Sequence, residues 1–278
     1  MQVVILGSGS PLPDPHRAGP STLVRTSAGD LLIDAGRGVL LRMSAALAGP
    51  GGLAAVLLTH LHSDHITDLN DVITMRWAMS FAPNPLRVVG PVGTADVVAR
   101  TEAMLAHDIG YRLAHHDDLT WRPDTVAEEV ADGVVFEQGA VRVTAAPTDH
   151  APVHPTVAFR VDDGDASVVL AGDTVPCDGL DRLARGADVL VHTVVRRDQI
   201  EAIGLPRLVD VLDYHSDVAQ AAATAERAGV RTLVITHMVP APAPGTEQEW
   251  IDQARTAFSG EVVVAEDLLT IEVPAGDR

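Results

Sequence analysis

Leu57-Leu58-Thr59-His60-Leu61-His62-Ser63-Asp64-His65-Ile66 places three imidazoles and a carboxylate within positions 60–65, directly after the apolar run Leu53 to Leu58. Val56, Leu57 and Leu58 show no polar alternation, as expected of a strand buried on both faces, whereas Ile66, Leu69, Val72, Ile73 and Trp77 return at helical spacing. The histidines therefore fall at a strand-to-helix turn. Such a bend directs His60 and His62 one way and Asp64 and His65 another, so one segment can serve two adjacent metal ions. Imidazole and carboxylate without thiolate suit zinc, manganese or iron in an open catalytic site rather than a closed structural one. A histidine-rich surface loop is the plainer alternative, and the buried strand in front of the histidines argues against it.

Working outward, the same placement recurs. Thr148-Asp149-His150, Ala171-Gly172-Asp173-Thr174, His215-Ser216-Asp217 and Thr236-His237-Met238 each close or follow an apolar, strand-like run. Together with the opening Ile5-Leu6-Gly7-Ser8-Gly9-Ser10 and with Leu31-Leu32-Ile33-Asp34-Ala35-Gly36, the set resembles the HxHxDH pattern of the metallo-β-lactamase fold over nearly the whole chain. Within that fold it is similar to the ribonuclease Z and phosphodiesterase-arylsulfatase-like branch, where a second functional histidine stands in a His-Ser-Thr setting; here that setting reads His215-Ser216-Asp217.

The resemblance implies an α/β, four-layer αββα sandwich and two zinc ions, with manganese or iron as substitutes. His60, His62 and His150 would hold one ion, Asp64, His65 and His237 the other, and Asp173 would bridge them. Two divalent ions about 3.5–4 Å apart repel, which is why a bridging carboxylate and a shared hydroxide are needed. That hydroxide is the expected nucleophile. Asp64 would orient or deprotonate it, and His215 would protonate the leaving oxygen or donate to the developing oxyanion. Asp34 is expected to brace the histidine loop by accepting an imidazole N–H rather than to bind metal.

Composition narrows the setting. The 278 residues suit one domain over 1–278, since no linker of distinct composition divides them. Twenty basic against 38 acidic residues give a formal charge of −18, which repels phosphate backbones unless a local basic patch or bound metal compensates. Cys177 is the single cysteine, so an intrachain disulfide is excluded and metal binding rests on histidine and aspartate; the thiol reads as a small buried hydrophobe. No apolar stretch approaches the roughly 20 residues of a membrane span, and the N-terminus reads as a strand rather than a leader, so the cytoplasm is the expected location.

Strands are expected at 2–6, 21–26, 31–34, 53–59, 86–90, 134–138, 141–146, 156–161, 167–171, 188–191, 231–236 and 262–273. Helices are expected at 38–48, 65–80, 94–107, 216–228 and 246–258, with Gly229 as a C-cap. The stretch 107–132, with His107, His115 and His116, reads as an inserted loop whose histidines are solvated. Gly7-Ser8-Gly9 is no dinucleotide fingerprint, because Pro11, Pro13 and Pro15 prevent the helix that motif requires. His154 reads as a pocket-rim residue.

Two departures from the branch bear on substrate. Where ribonucleases Z carry His-Glu-Ala-Thr, this chain has His192-Thr193-Val194-Val195, which touches the handling of the substrate phosphate. Between Arg160 and Asp173 the long tRNA-clamping arm of many ribonucleases Z is missing, so Arg196-Arg197 and Arg207 become the candidates for gripping RNA. The resulting expectation is a phosphodiester hydrolase with a tRNA precursor as a candidate substrate, no membrane partner, and a homodimer as a candidate assembly. The alternatives are an arylsulfatase-like or lactonase-like small-molecule esterase and a metal-binding protein without turnover.

Overall fold

In the computed structural model, which describes residues 1–274, two seven-stranded sheets lie face to face. The first contains β1 (Gln2–Gly7), β2 (Ser21–Thr26), β3 (Gly29–Ile33), β4 (Leu53–Leu57), β5 (Leu86–Gly90) and β6 (Thr125–Glu129). The second contains β7 (Gly133–Gln138), β8 (Val141–Pro147), β9 (Val157–Asp163), β10 (Ala166–Leu170), β11 (Val189–Val195), β12 (Thr232–Val239) and β13 (Glu261–Val264). The last strand, β14 (Leu269–Glu272), returns to the first sheet, giving the orders β14-β1-β2-β3-β4-β5-β6 and β13-β12-β11-β10-β9-β8-β7. Each sheet is antiparallel at one end and parallel at the other: β3, β4, β5 and β6 run parallel in the first, β10, β11, β12 and β13 in the second.

Alternate side chains explain the layers. Val3, Ile5, Leu31, Ile33 and Leu57 of one sheet meet Val143, Phe159, Val161, Val168 and Val191 of the other in a shared core. Their neighbours in sequence face outward. Val4, Leu6, Leu32 and Val56 pack under α1 (Val39–Ala45), α3 (Leu69–Ala78) and α4 (Thr94–Met104), while Val169, Leu190, Leu233 and Ile235 pack under α6 (Asp178–Ala184), α9 (Val218–Ala228) and α10 (Glu247–Ala254); the short α7 (Arg197–Ile203) and α8 (Pro206–Val209) stand between β11 and α9. Strands covered on both faces carry continuous apolar runs, and the outcome is the αββα sandwich expected from the sequence.

Three expectations are corrected. The span 262–273 is not one strand but two, β13 and β14, in opposite sheets. The chain turns between them because Leu268 is left-handed (φ 69°) and Asp267 is held by Ser8, Ala18 and Arg42. The stretch 107–132 is not a loop: it holds α5 (Ala106–His115) and β6. Ile109 and Leu119 pack there against Trp77, whose indole N–H donates to the Trp121 carbonyl, and this tertiary anchor is absent from the local pattern. The span 65–80 divides into α2 (Ser63–Ile66) and α3, since the Asp68 amide leaves the helix to donate to Ala35.

Arg76 locks this region. Its buried guanidinium donates to the carbonyls of Pro50, Leu53, Asn84 and Pro85 and to Asn84 Oδ1 at 2.7–3.0 Å. Arg76→Met keeps the stem but strands those acceptors, and a loss of roughly 2–4 kcal/mol in unfolding free energy is expected from urea titration. A change within experimental error would show that water replaces the guanidinium freely.

Candidate metal centre

The site forms where the carboxyl ends of the parallel strands meet, the place at which open α/β sheets expose loops without disturbing their cores. Beyond β4 the chain turns at Thr59, whose amide and hydroxyl donate to Asp34 Oδ1 and Oδ2 at 2.8 and 2.9 Å. Asp34, itself left-handed (φ 59°), also accepts from His65 Nδ1 at 2.8 Å. This carboxylate thus ties β3, the turn and α2 together. The Thr59 hydroxyl lies 3.0 Å from His60 Nδ1, leaving His60 Nε2 directed inward. Thr59 escapes sequence reasoning because a threonine after a strand carries no special signal.

From the opposite sheet, His150 follows β8 with its Nδ1 2.8 Å from the Tyr214 carbonyl. Asp173 follows β10 through Gly172, which is left-handed (φ +64°) and so close to Thr59 that an added Cβ would stand 2.8 Å from the threonine Cβ. His237 lies within β12 rather than after it, and it too is left-handed (φ 49°), a strained state for a strand residue that turns its ring into the site. His215 is set by its neighbours: the Ser216 amide and hydroxyl both donate to the Thr174 carbonyl, and Asp217 caps α9 in a capping box with Gln220.

These side chains converge on one oxygen. Asp173 Oδ2 lies 3.2 Å from His215 Nε2, 3.5 Å from Nε2 of both His65 and His237, 3.8 Å from His60 Nε2 and 3.9 Å from His150 Nε2. On one side His62 Nδ1 is 3.1 Å from His60 Nε2 and 3.4 Å from His150 Nε2. On the other, Asp64 Oδ2 is 3.2 Å from His237 Nε2 and 3.5 Å from His65 Nε2. Among the described residues three groups could hold an ion: His60, His62, His150 and Asp173; Asp64, His65 and His237; and Asp173, His215 and His237.

The arrangement fits divalent metal. Ligand nitrogens about 2.0–2.1 Å from a tetrahedral ion stand about 3.3 Å apart, which matches the His60, His62 and His150 spacings. His65 Nε2 and Asp173 Oδ1 are buried without any hydrogen-bond partner, as expected of lone pairs meant for a cation. Burial holds His60 well below the ordinary imidazole value and brings His150 to about 4, so both are neutral donors near pH 7. Burial opposes charge on His65 too, but Asp173 and Asp34 raise it well above the ordinary value; His237 is raised in the same way by Asp173 and Asp64. Asp173 resists the upward push of burial because His237 and His65 hold it far below the usual carboxylate range.

Several sequence candidates stand apart from this cluster. His192 is fully buried, with Nδ1 against the Thr193 carbonyl, and burial lowers it to about 4. His154 is exposed and does not line the cavity beside the cluster; His107, His115 and His116 are exposed on and just after α5. Cys177 is half-buried at the start of α6, against the second sheet's outer core. The Arg160–Asp173 connection is the tight β9–β10 hairpin. Arg196 is no RNA grip: it is buried, pairs with Asp198 and Glu249, and lies 5.4 Å from the Trp250 ring centroid. Arg197 pairs with Asp217 and Glu201.

His192 gives a pH prediction. Its folded value is depressed below 6.5, so its stabilising contribution is present above that pH and is lost as pH falls towards about 4. For the metal-stripped protein, His192→Leu should flatten the loss of unfolding free energy between pH 6.5 and 4 by roughly 1 kcal/mol per pH unit. An unchanged slope would mean that His192 does not stay neutral.

Comparison with known proteins bears on the whole chain. Residues 30–238 match the Beta-lactamase superfamily domain. Over 275 residues, 98% of both chains, the sequence is 55% identical to "Ribonuclease Z" of Mycobacterium bovis (strain BCG / Pasteur 1173P2). Among solved structures, the metallo-beta-lactamase fold protein YhfI from Bacillus subtilis superposes with a TM-score of 0.75 at 23% identity, covering 97% of this chain and 98% of that one. The short form of human tRNase Z superposes with a TM-score of 0.73 at 24% identity, covering 99% of this chain and all of the other.

Proposed function

Since the chain belongs to the ribonuclease Z family of the β-lactamase superfamily, we propose that it is a dinuclear zinc endoribonuclease that processes the 3′ end of precursor tRNA. The observation that carries this reading is similarity along the full chain to a ribonuclease Z, including the stretches that hold the ligand cluster. It favours phosphodiester hydrolysis over the sulfate-ester, lactone and non-catalytic alternatives.

In this reading His60, His62 and His150 would hold one ion and Asp64, His65 and His237 the other, with Asp173, within 3.5 Å of His65 and His237 and grouped with the first three histidines, shared between them. Bound divalent ions supply Lewis acidity that activates water and offsets charge developing on the phosphate. Asp64, buried in the second group, would orient the attacking water and take its proton. His215 provides the departing oxygen with a proton. Its Nδ1 faces the Val211 carbonyl at 3.1 Å and its Nε2 faces Asp173 at 3.2 Å, contacts that fix the ring with Nε2 turned towards the cluster. Asp34 holds the His65 ring in orientation through Nδ1.

The test uses zinc-loaded protein, a tRNA precursor with its 3′ trailer, and a small chromogenic diester, each at low and physiological salt. A specific cut at the acceptor end is expected, weakening with salt by a log–log slope of roughly −0.7 to −0.9 per neutralised phosphate. Brisk diester turnover with an intact precursor at every salt concentration would remove tRNA from the proposal. Among the described residues no helix is long and apolar enough to cross a membrane. A cytoplasmic location and a homodimer belong to the same reading. Met79 and Phe81, 67% and 96% exposed beside a surface cavity, support self-association, which a monomer mass in sedimentation would refute.

A further inference from the structure

A cavity of about 430 Å³ opens directly onto the cluster, with Asp173, His215 and His237 at its inner end. That volume lies within the roughly 300–1,000 Å³ typical of small-ligand pockets. Its walls are apolar: Leu205, Leu208, Val211 and Val239, completed by the ring of Tyr214. Leu208 and Val211 are anchored from behind on Val195, Ile200 and Leu212, so this wall is part of the fold. Leu205 is 61% exposed.

One cation lines the cavity. Arg207 is exposed, and among the described residues it makes no ion pair or side-chain hydrogen bond. That is unusual around this site, where Arg196 and Arg197 are both occupied by carboxylates. A free guanidinium in a chain of formal charge −18 is available for a phosphate, which it meets with paired N–H donors.

We propose that this cavity is a nucleoside pocket: it receives the base next to the scissile phosphate, while Arg207 holds a neighbouring phosphate. The inference rests on the phosphodiesterase reading of the metal cluster and adds where the substrate's first base goes. Leucine and valine walls offer no hydrogen-bond code, so the pocket accepts any base by its face and apolar edge, with purines favoured by area. His215 lies at the inner end of the same cavity, so the nucleoside held there carries the oxygen that His215 serves.

The test measures binding rather than turnover. Calorimetry on zinc-loaded protein compares adenosine monophosphate, as its 3′ and 5′ isomers, with ribose 5-phosphate. At least one nucleotide should bind about tenfold more tightly than the sugar phosphate. Leu205→Asp, at an exposed position that leaves the core intact, should bring the two within about twofold; Arg207→Gln should weaken both. Equal affinities in the wild-type protein, or a preference that survives Leu205→Asp, overturn the pocket. Equal affinities alongside correct precursor cleavage remove the pocket and leave the ribonuclease reading intact. A nucleotide preference lost in Leu205→Asp without any precursor cleavage removes the tRNA reading and leaves a nucleotide site.

Discussion

Asp173→Ala is expected to lose both metal ions together and to lower phosphodiester turnover by roughly 10⁴-fold or more, the scale of a lost metal centre. The reason is geometric. Asp173 Oδ2 is within 3.9 Å of nitrogens from five histidines, and among the described residues it is the one carboxylate that reaches both groups. Without it, two like charges in a buried pocket lose the anion between them, and the second group retains only Asp64 as a counter-charge. Metal analysis after dialysis should fall from near two equivalents to below one. Asp173→Asn separates charge from shape: it preserves the volume and one acceptor oxygen, so if it too loses the ions, charge is what matters. Two equivalents retained in Asp173→Ala would sink the bridging role.

For His215→Ala the expected loss is about 10²–10⁴-fold in turnover, the usual contribution of a positioned acid, with metal content nearly unchanged. His215 belongs to one of the potential ligand groups, with Asp173 and His237, so the metal measurement decides between two roles. The acid role further requires a dependence on the leaving group. A diester with a p-nitrophenolate leaving group needs little protonation and should lose little, whereas one leaving as an alkoxide should carry the full defect. Equal small losses on both would make His215 a packing residue beneath Tyr214, whose ring centroid lies 4.8 Å away. Metal lost in parallel with activity would make it a ligand.

Much of this cluster was legible in the chain because histidines and aspartates at strand ends stand out locally. His60 to His65 crowd one turn, and His150, Asp173 and His237 each occur at the end of an apolar run. Strand ends are where a buried sheet can expose rigid polar groups, so the run and the ligand together form a signal that survives without tertiary information. The helical and strand periods of the two outer layers were legible for the same reason: a face packed against one partner repeats every 3.6 or every two residues.

What stayed hidden depends on contacts between distant segments. Thr59 braces Asp34 and His60 only because Gly172, from the other sheet, lets the chains approach; among the described residues Arg207 makes no ion pair while Arg196 does, because Asp198 and Glu249 reach Arg196. The span 262–273 kept an unbroken strand-like composition while its two halves joined opposite sheets, a choice made by Asp267 bonding to Ser8, Ala18 and Arg42 far upstream. By itself the sequence determined, through residue type and local period, the histidine and aspartate clusters at strand ends and most of the strands and helices, while its family resemblance implied the αββα layering and the hydrolytic chemistry. The cavity wall at 205–211, the cation at its edge and the convergence of five imidazoles on one carboxylate oxygen were decided by tertiary structure, because burial and pairing are properties of neighbours in space.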